Sequence, residues 1–149
     1  MIVLLSIAIV FCLRNDFINS YFGGYMSITQ DPLIDDLYAN YKDGYSYSVN
    51  PPYGISFKGN LGISDEEGNL LLIIKRYKRE EIICVLLAGS ATEYPIKINL
   101  EGELIEGLKY DEGQKIAIED SKVLIMKLID NYKEWSYAAN QELKYFDDY

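Results

Sequence analysis

Glu101, Glu103, Glu106, Asp111 and Glu112 crowd one short stretch of the chain. Two carboxyl groups held about 5 to 9.5 Å apart, with the pKa of one raised by burial, would perform general acid and base work. Acids at alternating positions around a central Gly, closed by a terminal Glu, would hold calcium. The spacing meets neither requirement, so the stretch reads as a solvated acidic face that can double as a protein-contact patch. Histidine is absent from all 149 residues. That removes the commonest general base and metal ligand, and with it every Ser-His or Cys-His nucleophile. No phosphate loop, dinucleotide fingerprint or nucleophile elbow is present. The expected protein is not an enzyme and carries no cofactor or metal.

The cations gather in one place. Lys75, Arg76, Lys78 and Arg79 are followed at once by Glu80 and Glu81, the mixture that keeps a hairpin tip soluble and its edges unpaired. Contact with phosphate or anionic lipid is the other reading. With a formal charge of −9 the chain repels phosphate backbones, which argues against nucleic acid as partner. Tyrosine is abundant, fourteen residues against one Trp and five Phe, and it suits a contact surface because a rigid apolar ring ends in a polar tip. Tyr45 and Tyr47 share one strand face, alternating with Ser46 and Ser48, and Tyr53 follows. Core packing and partner contact fit that face equally. With Asp35, Asp36 and Asp43 nearby, the group would suit a basic protein. The candidate contact set is therefore Asp35, Asp36, Asp43, Tyr45, Tyr47, Tyr53, Glu101, Glu103 and Glu106.

These residues need a scaffold, and the chain supplies one in three parts. Residues 1–13 (MIVLLSIAIVFCL) carry no charge and form a signal or anchor segment with the length of a secretory apolar region, too short alone to span comfortably. Burial of that run in a core is the alternative, and would leave the protein cytoplasmic. Residues 14–30 read as a connector, and 31–149 as a single domain. Cys12 and Cys84 both lie in apolar runs and read as small buried or membrane-embedded hydrophobes.

Asp31-Pro32 opens a short N-terminal helix carrying Leu33, Ile34, Leu37, Tyr38 and Tyr41 at three and four residue spacing, ended by Gly44. From Tyr45 the period changes to two. Strands are expected over Tyr45–Val49, Ile55–Ser64, Leu70–Ile74, Ile82–Leu87, Tyr94–Leu100, Glu103–Tyr110 and Lys115–Ile118. A long helix then starts at Asp120 or Ser121, with an apolar stripe of Ile125, Leu128, Tyr132, Trp135, Ala139, Leu143 and Phe146. The fold class is α+β: an antiparallel meander of about six to seven strands between a short N-terminal and a long C-terminal helix.

The segments DPLIDDLYANYKDGY, LLLIIKRY, IICVLLA, EYPIKINLEGEL and EDSKVLIMKLIDNYKEW, behind an apolar N-terminal run, give the chain a layout. It resembles the small immunity proteins of interbacterial toxins, most of all the TipC-type proteins of Gram-positive bacteria that pair with LXG toxins. The resemblance implies a membrane-anchored or exported protein at the extracytoplasmic face. It further implies that a sheet surface binds and occludes a cognate toxin stoichiometrically.

Overall fold

The computed structural model describes residues 2–29, 38–77, 80–86 and 96–147. Helices α1 (Ile2–Tyr21) and α2 (Gly23–Ser27) precede strands β1 (Tyr38–Lys42), β2 (Tyr45–Asn50), β3 (Asn60–Ser64), β4 (Leu70–Tyr77), β5 (Glu80–Val85) and β6 (Ile96–Ile98). Helices α3 (Glu112–Asp120) and α4 (Lys122–Asp147) follow. The strands form one open six-stranded sheet in sequence order, each antiparallel to the next. The protein is α+β.

Pairing aligns the apolar residues into rows that cross the sheet. Tyr47, Ile63, Leu72, Val85 and Ile96 make one, and Val49, Leu61, Ile74, Ile83 and Ile98 the next. No member of either row is more than 3 % exposed. A one-residue slip of any strand would turn its members to the opposite face, so burial of these rows fixes the register. Helix α4 covers them with the first five residues of the expected stripe: Ile125, Leu128, Tyr132, Trp135 and Ala139 are all buried, together with Ile129; the side chains of Leu143 and Phe146 lie outside those described. Beyond β6 the chain folds back along the outer edge, where Leu104 bridges Ile98 and Ile105 donates its amide to the Lys97 carbonyl.

Residues 14–30 are not a connector. Helix α1 runs unbroken through residue 21, and Tyr21, Phe22 and Tyr25 lie in the core with Phe17 and Ile18 packed against them. Phe22 is fully buried, with ring centroids 4.6 Å from Tyr21 and 5.8 Å from Phe17. Gly59 permits this approach, because a β-carbon there would fall 2.5 Å from the Phe22 ring and 2.7 Å from Pro52. The packed domain therefore begins near Phe17, not at Asp31. Nor does the apolar run enter the core of this chain: Leu4, Leu5, Ile7, Ile9, Val10, Phe11 and Leu13 are 42 to 72 % exposed. Among the described residues no helix is long and apolar enough to cross a membrane.

Other elements depart from expectation for local reasons. Residues 38–42 are strand, not helix, because Asp43 and Gly44 both take positive φ, 53° and 82°, and close a two-residue hairpin between Lys42 and Tyr45. Residues 30–37, with the expected helix start, lie outside the described residues. The strand expected from Ile55 starts only at Asn60, with Ile55 and Phe57 exposed in the loop before it. Residues 103–110 are irregular apart from the Leu104 bridge. Lys115–Ile118 is helix, not strand, because Asp111 to Gln114 form a capping box: Asp111 accepts the Gln114 amide while the Gln114 side chain accepts the Asp111 amide. The hairpin of β4 and β5 stands where expected, and a turn in which Asp65 accepts the Asn69 amide joins β3 to β4.

Phe22→Ala should lower unfolding free energy by about 3 to 5 kcal/mol in urea titration, the range for a buried aromatic. Deleting residues 2–13 should leave a cooperative transition, whereas deletion through residue 25 should abolish it.

Candidate functional site

A concavity of about 570 Å³ opens where the end of α1, the β4–β5 hairpin, the turn after β6 and residues 136–140 of α4 converge. Its floor is a hydrogen-bond network built from four elements. Tyr132 of α4 donates to Glu81 Oε1 at 2.5 Å, and Tyr21 of α1 donates to the same oxygen at a longer 3.4 Å. The Tyr25 hydroxyl of α2 lies 2.9 Å from that of Tyr132 and 2.8 Å from Ser136 Oγ. Strand register puts Glu81 opposite Arg76, and the guanidinium stacks 5.1 Å above the Tyr21 ring. Glu80 and Glu101 complete the rim with Asn99 and Asn140.

Burial drives the chemistry of the floor. Desolvation raises the pKa of Tyr132 and of Tyr21 far above the ordinary tyrosine value, and nearby charge, including Glu81, adds to the effect. Tyr25 is raised for the same first reason, opposed by its hydroxyl contacts with Ser136 and Tyr132. These groups remain neutral donors and do not act as bases. The groove offers carboxylates on a rigid aromatic base, a geometry suited to holding an ammonium or guanidinium group. Among the described residues no group of three or more His, Cys, Asp or Glu could hold a metal ion.

The fold does not bring the nine residues singled out in the sequence together. Asp35 and Asp36 lie outside the described residues. Asp43 sits at the β1–β2 turn, at the opposite end of the sheet from the groove, 3.8 Å from Lys127. With Asp65, Glu66 and Glu67 it rims an open depression of about 330 Å³. Tyr45 is half-buried beneath the Lys127 ammonium, 5.4 Å from its ring centroid. Tyr47 is 2 % exposed and accepts a hydrogen bond from Asn131 at 3.1 Å. Its strand face turns toward α4 and is core. Tyr53 is 93 % exposed in the β2–β3 loop. Glu101 lines the groove, while Glu103 accepts from Asn99 Nδ2 at 3.1 Å and Glu106 is exposed in the next turn.

Sequence reasoning missed Tyr21, Tyr25, Glu80 and Glu81 as site residues. Tyr21 and Tyr25 fall four apart beside Phe22, a helical spacing hidden within a stretch rich in polar residues and Gly.

Above pH 10.0, the ordinary tyrosine value, the unfolded chain releases these protons while the folded state retains them, so stability should be unaffected by these groups below that pH and fall above it. Tyr132→Phe should flatten the alkaline fall, read from urea midpoints between about pH 8 and 11. At neutral pH it should lose about 1 to 3 kcal/mol, because Glu81 and Tyr25 each lose a partner.

No protein-family model matches the chain, and none of the curated proteins or solved structures compared with it is similar.

Proposed function

We propose that the chain is a membrane-anchored immunity protein. It neutralises a cognate antibacterial toxin by stoichiometric binding at the extracytoplasmic face, and catalysis plays no part. The observation that carries this reading is the groove: Glu80, Glu81 and Glu101 converge around a tyrosine base, with Arg76 the one cation among the described residues that line it. A basic side chain projecting from the toxin would enter between these carboxylates, and the surrounding surface would cover the toxin's functional face. Preorganisation favours the interaction, since Tyr21 and Tyr132 already hold Glu81 in place and little side-chain entropy remains to be lost on binding. Anchoring is supported by the exposed apolar stretch of α1, whose large side chains from Leu4 to Leu13 are 42 to 72 % exposed. The same exposure disfavours a cytoplasmic module with that stretch as core.

The test is co-purification of the full chain with the product of the neighbouring gene, followed by rate measurements. With −9 on the inhibitor and a basic partner, association should slow markedly between about 50 and 500 mM salt while dissociation changes less. Glu80→Lys with Glu101→Lys should weaken the complex by at least about tenfold without lowering the melting temperature, since both side chains are rim groups. An association rate independent of salt, or unchanged affinity in the double variant, would remove the groove from the contact.

A further inference from the structure

At the end of the sheet where α1 enters, the loop between β2 and β3 runs beside the helix. Gly59 and Pro52 lie against Phe22, the Phe57 ring lies 6.2 Å from Phe17, and Arg14 Nη2 donates to the Pro52 carbonyl at 2.7 Å. From Phe22, just past the end of α1, Phe17 and Arg14 step back along the helix toward its apolar end. The loop therefore ascends the helix to the level where the uncharged stretch begins. Its side chains there are apolar and uncovered: Tyr53 is 93 % exposed, Ile55 74 % and Phe57 44 %.

We infer that this loop is a second lipid contact, so that Tyr53, Ile55 and Phe57 enter the headgroup and acyl boundary of the membrane that receives α1. The inference rests on the anchoring just proposed. Three observations select lipid as the occupant. First, Leu4, Leu5, Ile7, Ile9, Val10, Phe11 and Leu13 are exposed on every side of the helix at about 100° per residue. A protein groove covers one stripe of a helix, whereas hydrocarbon surrounds it. Second, the chemistry changes in the order of a bilayer interface, from the uncharged stretch to Arg14 and then to an aromatic and aliphatic loop that also carries the exposed Lys58. Tyrosine with cations is the composition of interfacial belts. Third, the carboxylates Asp43, Asp65, Glu66 and Glu67 gather at the far end of the sheet, whereas the loop itself, residues 51–59, carries Lys58 and no carboxylate. The carboxylates of the groove are at the loop's end of the sheet but on strands β5 and beyond β6. From β2 and β3 that is about 10 Å or more at ordinary strand spacing.

Two attachments fix orientation where one would leave the domain free to swing. The groove would then face along the membrane plane, close to the headgroups.

The experiment uses the full chain reconstituted into vesicles of phosphatidylcholine and phosphatidylglycerol whose acyl chains carry bromine, a quencher of indole emission. The native Trp135 is 6 % exposed in the core and supplies the baseline. Tyr53→Trp should add a blue-shifted emission that bromolipid quenches, whereas Val123→Trp, on the 87 % exposed first turn of α4 near the acidic end, should add an unquenched one. Tyr53→Asp with Ile55→Asp should lower partitioning onto vesicles about tenfold, with an unchanged melting curve. Vesicle binding in which the emission added by Tyr53→Trp stays unquenched would overturn the loop contact and leave the anchor standing. Failure of the full chain to float with vesicles would overturn both.

Discussion

The width of the sheet is the constraint on which the rest of the molecule depends. Six strands at ordinary spacing extend about 24 Å across, and one helix with its side chains covers only about 10 to 12 Å. Helix α4 can roof only part of the two apolar rows. The remainder must be covered by a second element, and the chain supplies it from the residues where α1 turns into α2. Tyr21, Phe22 and Tyr25 fill that place, with Tyr25 meeting Trp135 edge to face at 4.8 Å between ring centroids. The piece nearest the apolar segment is thus half of the roof.

Using tyrosine there carries a polar obligation. A buried hydroxyl without a partner is destabilising by about 1 to 3 kcal/mol, and the fold answers by placing Glu81 and Ser136 where the rings end. Tyr47 is satisfied separately through Asn131. Trp135 Nε1 is an exception, buried with no hydrogen-bond partner among the described residues. The groove follows from the same arrangement: hydroxyls that must reach a carboxylate hold the roof helices and the hairpin in a wedge, and the wedge stays open at the rim.

Much of the architecture is legible in the sequence because it depends on periodicity. The stripe of α4 specifies a helix and its buried face, and the apolar runs Leu70–Ile74 and Ile82–Leu87 each specify a strand, without reference to anything distant. What escapes depends on one or two residues. Asp43-Gly44 resembles a helix end, although the pair more strongly specifies a two-residue hairpin. Asp111 to Gln114 has the composition of a turn, although aspartate three residues before glutamine begins a helix. The site is less legible than the fold. Glu81 becomes a site residue only because residues about 51 to 60 positions away in sequence bring their hydroxyls to it, and nothing local encodes that meeting. Alternation places Tyr45 and Tyr47 on one face; which way that face points depends on the roof.

Helix α1 contains no proline and no glycine between Ile2 and Tyr21, so it has none of the usual sites for a kink. It is a lever about 30 Å long, clamped at one end by Phe17, Phe22 and Tyr25. Force applied at the free end is not absorbed by a slack tether. A pull or a tilt arrives at the ring of Phe22 and at the hydroxyl of Tyr21, the one an anchor of the core and the other a wall of the groove. Mechanical load on the segment and the shape of the groove are therefore coupled through a single rigid element.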